Sequence, residues 1–159
     1  MNSMETILIP KERAGVINKT VMDKLKNELG IDISRRGNTV ELKGEGLEYL
    51  LARNIVIAIA KGFSPIRAYR LLDEEQEIAV IELGKNASRV RARLIGTKGK
   101  ARKRIEYKTG ANISVQGKTV AIIGGYDQLD KARQAVNMLI DGTSHVFVFR
   151  WLEEICDEE

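Results

Sequence analysis

The chain is poor in several residue types whose scarcity is informative. It holds one cysteine, one histidine and two prolines in 159 residues, and aromatic side chains make up only 5% of it. A single thiol, Cys156, excludes an internal disulfide framework and fits a reducing, cytoplasmic setting. With His145 as the only imidazole, a zinc cage of protein ligands is not expected, nor is any other cofactor. No apolar run reaches the roughly 20 residues that cross a bilayer, and residues 1–10 lack the basic start and apolar stretch of a secretory leader, so no membrane association is expected.

What is present is a folded core and an uneven charge. Hydrophobic residues make up 43%, enough to argue against wholesale disorder. The net charge is +4. Between Lys85 and Lys108 stand ten Lys or Arg against the single acid Glu106, so this segment alone carries +9. Acids gather instead at Asp73, Glu74, Glu75 and Glu77 and from Glu153 to Glu159. Clustered cations suit a polyanion, because each neutralised phosphate releases condensed counterions. A solvated helix face is the plainer reading of such a run taken alone.

The chain also repeats. Gly37-Asn38-Thr39-Val40-Glu41-Leu42-Lys43-Gly44 matches Gly117-Lys118-Thr119-Val120-Ala121-Ile122-Ile123-Gly124 at an offset of 80, and Gly30 to Ser34 matches Gly110 to Ser114 at the same offset. Each copy reads as strand, helix, helix, strand, strand, helix. In the second, Glu77 to Leu83 is a strand, Ser88 to Ile95 a short helix capped by Ser88, and Lys100 to Thr109 a second helix ending on Gly110. Ala111 to Val115 and Thr119 to Ile123 form a hairpin, and Asp127 to Ile140 a third helix. In the first copy Thr6 to Ile9 opens the order and Val21 to Leu29 is its second helix. The apolar stripe Leu47, Leu50, Leu51, Ile55, Ala58 and Ile59 marks its closing helix. The fold class expected is α+β, two three-stranded antiparallel sheets, each backed by three helices. The domains fall at 1–62 and 77–142, with a 63–76 linker whose short helix starts at Ser64-Pro65, and a C-terminal helix and acidic tail at 143–159.

Between the first two helices of the second copy lies Ile95-Gly96-Thr97-Lys98-Gly99-Lys100. In this position it resembles the GxxG loop of a type I KH domain, and the element order resembles that fold in both copies. The resemblance implies a loop that clamps the backbone of single-stranded nucleic acid. Paired glycines let the main chain approach phosphate, a helix N-terminus points its amides at the same place, and Lys98 and Lys100 add full charges with Arg102 and Lys103 behind them. Arg89 and Arg93 complete the basic wall. Ile113 and Ser114, on the following strand, mark the opposite wall, although an alternating isoleucine serves equally as core. Tyr107 is the only aromatic in the basic segment, so base stacking as in RRM or OB-fold proteins does not suit it. The first copy has no GxxG. Matching Ile17 to Ile95 gives an offset of 78 and implies two residues missing at its loop, so no RNA-binding role passes to that copy beyond auxiliary contacts from Lys11, Arg13 and Lys19.

Lys61-Gly62-Phe63-Ser64-Pro65, Arg70-Leu71-Leu72, residues 117–124 and the His145-Val146-Phe147 region together are similar to the archaeal two-KH ribosome-assembly factors, relatives of the eukaryotic pre-rRNA processing protein that partners the Nob endonuclease. The absence of a long N-terminal extension favours the archaeal branch. This resemblance implies binding of single-stranded RNA near the 3′ end of small-subunit rRNA during maturation. It implies the Nob-type endonuclease and the alpha subunit of translation initiation factor two as protein partners. General KH binding of RNA or single-stranded DNA, and a protein-interaction scaffold in translation initiation, are the alternatives. Catalysis is not expected: a P-loop reading of Gly99-Lys100 fails because positions 94 and 101 are Leu and Ala, and His145 has no triad pattern around it.

Overall fold

Two runs of alternating apolar residues, each closed by a glycine turn, fold into two separate three-stranded sheets. The structure, a computed structural model, describes residues 2–157. It divides into two units, Met1–Glu74 and Glu75–Glu159.

Unit 1 contains β1 (Asn2–Leu8), α1 (Lys11–Ala14), α2 (Lys19–Leu29), β2 (Asp32–Arg36), β3 (Thr39–Glu45), α3 (Gly46–Ala60), α4 (Pro65–Ala68) and a 3-10 turn over Tyr69–Leu72. The sheet order is β1-β3-β2, antiparallel throughout. Unit 2 contains β4 (Glu77–Glu82), α5 (Ala87–Ile95), a 3-10 turn over Thr97–Gly99, α6 (Lys100–Thr109), β5 (Asn112–Gln116), β6 (Thr119–Gly124), α7 (Tyr126–Ile140) and α8 (His145–Asp157). Its sheet runs β4-β6-β5. The α+β class, the two three-stranded antiparallel sheets and the order of elements along the chain therefore stand as the patterning implied.

Helix boundaries follow local chemistry. Asn18 caps α2 by accepting from the Val21 amide at 3.0 Å, and Ser64 caps α4 ahead of Pro65. Gly30 and Gly110 end α2 and α6 in the left-handed conformation. The helix α5 starts at Ala87 after Asn86, not after Ser88. In α3 the core stripe is Tyr49, Ala52, Ile55, Val56 and Ile59. Leu47 and Leu50, assigned to that stripe from the sequence, are 45% and 54% exposed. The helix begins at Gly46, and its 3.6-residue turn carries those two leucines to the flank.

The expected boundaries also shift. Residues 63–72 do not behave as a linker: Phe63, Ala68 and Leu71 are buried in unit 1. Likewise α8 is a fourth helix of unit 2, packed on α6 and α7, with Val148 and Leu152 in the core. These two segments are copies of one another. Arg67 N–H donates to Ser64 Oγ, and Phe147 N–H to Ser144 Oγ, again 80 residues on. The Lys24 ammonium lies 4.9 Å above the Tyr69 ring, and the Arg104 guanidinium 4.4 Å above that of Phe149, at the same offset. The duplicated unit thus has four helices, the last cut short in unit 1.

Candidate nucleic-acid interface

The loop of unit 2 takes its shape from two left-handed glycines. Gly96 sits at φ 74°, ψ 178°, a region open essentially to glycine. A Cβ there would lie 2.7 Å from Ala101 Cβ and 2.9 Å from the Ala101 nitrogen. Gly99, at φ 75°, faces more open space, with only Lys103 Cε 3.8 Å from where its Cβ would stand. Lys98 between them also has positive φ, 55°.

Amide accounting shows what this shape exposes. Gly96 N–H closes α5 on the Ala92 carbonyl, Gly99 N–H turns back to the Gly96 carbonyl, and Lys100 N–H to that of Thr97. The Thr97 and Lys98 amides find no acceptor among the described residues, and both side chains are exposed. Gly99 at the N-cap of α6 supplies no side-chain acceptor, so the positive end of that helix stays open. Two free amides, an uncapped helix N-terminus, Lys98 and Lys100 make an anion cradle on the surface.

The other residues singled out from the sequence divide into two groups. Ile95 ends α5, half-buried below the loop; Arg89 and Lys103 are exposed on α5 and α6 flanking it. Arg93 is structural: its Nε donates to the Leu139 carbonyl at 3.3 Å and its Nη2 to that of Thr143 at 2.6 Å. Arg102 is held by Glu106 (3.0 Å) and by the Ile113 carbonyl (3.4 Å), which mutes its charge. Ile113 is 3% exposed and belongs to the core, so of its two open roles the side chain takes the packing one. Its backbone N–H is taken up by Glu106 at 2.7 Å. Ser114 is half-buried on β5.

Three features escaped the sequence reading. Arg91 reaches across from α5 to the Gly117 carbonyl at 3.2 Å, tying the helix to the β5–β6 turn. His145 and Phe149 of α8 line a groove behind the loop together with Arg89, Ala92, Lys100 and Arg104. Third, the first loop is not shortened. Arg13 donates to the carbonyls of Ile59 (2.9 Å) and Phe63 (2.7 Å), the same two bonds that Arg93 makes 80 residues on. The offset is therefore 80 from Arg13 onward, which overturns the 78 offset and the missing pair. The six absent residues lie earlier: Ile9 and Leu83, whose amides donate to Asn38 and Lys118, are only 74 apart. The deletion shortens the first helix from nine residues to four.

Comparison with known proteins bears on all of this. A family model described as "Eukaryotic type KH-domain (KH-domain type I)" matches residues 74–157. The KH domain-containing protein MJ0443 of Methanocaldococcus jannaschii is 38% identical over 166 aligned positions, covering 95% of this chain and 73% of that one. The crystal structure of Dim2p from Pyrococcus horikoshii OT3 superposes with a TM-score of 0.90 at 38% identity, covering 96% of this chain and 99% of that one. A second structure from that organism, an a/eIF2alpha-aDim2p-rRNA complex, matches with a TM-score of 0.94 at 36% identity over 100% of this chain and 97% of that one. With a type I KH model covering unit 2 and Dim2p matching along nearly its whole length, the chain belongs to the Dim2-like KH proteins.

Proposed function

We propose that this protein binds single-stranded RNA through the Gly96-Thr97-Lys98-Gly99 loop, and that its target is the 3′ end of small-subunit rRNA during ribosome maturation. The observation that carries the reading is the pair of unsatisfied amides at Thr97 and Lys98, held outward by two glycines at the open end of α6. Support for the rRNA assignment comes from the aDim2p of Pyrococcus, whose structure is a complex with rRNA and a/eIF2alpha. On the same footing the alpha subunit of initiation factor two is the first protein partner proposed, and a Nob-type endonuclease the second. Unit 1 is read as a degenerate KH domain in a supporting role, and the whole chain as a cytoplasmic binding protein rather than an enzyme.

The test is Thr97→Asp with Lys98→Asp. Both side chains are exposed, both glycines are kept, and aspartate tolerates the left-handed backbone at 98. Losing charge-assisted hydrogen bonds and adding repulsion is expected to weaken binding of single-stranded rRNA 3′-end oligonucleotides by about 10- to 100-fold. Thermal stability should not change. Unaltered affinity in the folded variant would move the site elsewhere. Gly96 is the wrong residue for this test, since any Cβ there displaces Ala101.

A further inference from the structure

We infer that the groove between α5, α6 and α8 is a second nucleotide subsite, taking the RNA residue that follows the stretch held by the glycine loop. This deepens the proposed function and rests on it. The groove is open to solvent, has a volume of about 810 Å³ and is lined by Arg89, Ala92, Lys100, Arg104, His145 and Phe149, with Arg93, Gly96, Thr97 and Ala101 completing it. That size lies within the range of about 300–1,000 Å³ typical of small-ligand pockets.

Four features of the groove point to a nucleotide. First, Gly96, Thr97 and Lys100 belong to both the loop and the groove, so a chain whose phosphate rests on the loop has its next residue at the groove mouth. Second, the floor is apolar (Ala92, Ala101, Phe149) while four cations and no acid line the walls, which matches a flat ring with an anionic edge. Arg89 and Lys100 have no acidic partner among the described residues. Arg104 pairs with Glu153 at 3.2 Å, but the pair is half exposed, and such pairs are worth at most about 1 kcal/mol, so a phosphate can replace the carboxylate.

Third, His145 Nε2 sits 2.8 Å from the Arg93 carbonyl, which can only accept, so Nε2 carries the proton in the singly protonated ring and Nδ1 is the acceptor of that tautomer. Among side chains that otherwise donate, an acceptor suits the amino or imino N–H of a base. Fourth, unit 1 shows which features are structural and which are not. It repeats the cation over the ring as Lys24 and Tyr69, so that stack fastens the fourth helix in both copies. At the positions of Gly96, Lys100 and His145 it carries Val16, Thr20 and Pro65, and its six-residue deletion removes the turn that bears Arg89. The groove-forming residues are peculiar to the unit with the glycine loop. An acidic peptide would need a longer apolar strip to anchor it than Ala92, Ala101 and Phe149 offer.

The experiment uses the full chain and fluorescein-labelled single-stranded RNA of randomised sequence, four and eight nucleotides long. Two variants alter the groove without touching the loop: Ala92→Gln fills it from an exposed, uncharged position, and His145→Ala removes the acceptor. Both are expected to bind the four-mer as the parent does, which also shows that they fold. Both should lose at least about fivefold of the affinity gained on going to the eight-mer. For the eight-mer the slope of log K against log salt should also fall by about 0.7 for each phosphate that the groove no longer neutralises. The purely statistical gain from extra registers is the same for every protein and cancels. An unchanged eight-mer gain and salt slope in both variants would overturn the subsite. So would variants that keep the RNA gain but lose binding to oligoglutamate, since the groove would then serve an acidic peptide. Failure of the parent reading is separate: it shows as undiminished four-mer binding in the Thr97→Asp, Lys98→Asp protein.

Discussion

The two units share a sheet order, a helix order and a repeated set of hydrogen bonds, yet they treat the turn between the first two helices in opposite ways. In unit 2 residues 97 and 98 face solvent with amides unsatisfied among the described residues, and no side chain caps α6. In unit 1 most of these openings are closed: the Ile17 amide donates to the Ala14 carbonyl at 3.2 Å, and of the two counterpart amides only that of Asn18 has no acceptor among the described residues. Ile17, at the position of Thr97, is fully buried; Asn18, at the position of Lys98, caps α2. Arg35 donates to the Ile17 carbonyl at 3.0 Å and to that of Gly37 at 2.6 Å, bridging the loop and the β2–β3 turn. The two turns thus differ in backbone path, with positive φ at 96, 98 and 99 and at none of 16, 18 and 19, and also in how many of their polar groups already have partners.

The comparison can be broken or sharpened by paired substitutions. Ile17→Ala should cost about 2–5 kcal/mol by leaving a cavity, whereas Thr97→Ala should change stability by no more than about 0.5 kcal/mol. Denaturant titration with a probe in each unit checks both, and equal costs would mean that the first loop is no more part of its core than the second. Arg13→Ala and Arg93→Ala should each destabilise their own unit by about 2–3 kcal/mol, since each removes a charged donor from two backbone carbonyls. A large effect in one unit alone would deny their equivalence. Asn18→Ala should cost about 1 kcal/mol in helix-cap stability, again read by denaturant titration. No such cap exists to be removed from α6.

The smallest effect concerns charge. Glu5 accepts from Arg53 Nε at 2.5 Å and from the Tyr49 hydroxyl at 3.2 Å, and the Arg53 hydrogen bond holds its carboxyl below the ordinary carboxylate range. At the corresponding places unit 2 has Ala79, Arg133 and Leu129. A depressed folded value means that the stabilisation is complete above the unfolded-state value near about 4.3 and is lost as pH falls through the folded one. Glu5→Gln should therefore lower the melting temperature of unit 1 slightly at pH 7, with the difference from the parent vanishing in acid. A constant difference down to about pH 2 would remove the carboxylate from this account.

Much of this was legible in the residues. Period-two alternation and paired glycines fixed the hairpins, and the GxxG between two helical stretches located the exposed cradle. What the sequence concealed has a common physical character. Arg13 and Arg93 act on carbonyls some 50 residues away, and such bonds are chosen by backbone position, which leaves no mark on side-chain similarity. Without that anchor, Ile17 and Ile95 paired naturally by hydrophobicity and a gap was placed where none exists. The equivalence of the two closing helices was hidden in the same way, because Pro65 to Leu72 and His145 to Asp157 share their cap and their cation over a ring but little else. Ile113 shows a different limit: alternation says that a residue alternates, and only packing says which face is dry.

The pair of hydrogen bonds from Arg93 to the corner between α7 and α8 reaches further than packing. The glycine loop is suspended from the end of α5, and α5 is moored to that corner by the Arg93 guanidinium and by His145 Nε2 on the Arg93 carbonyl. Fraying of the last turn of α7 and loss of loop geometry are then one event, and amide exchange at the two places should proceed at a common rate. On the proposed function, the grip on a nucleic acid depends in this sense on the rigidity of that junction.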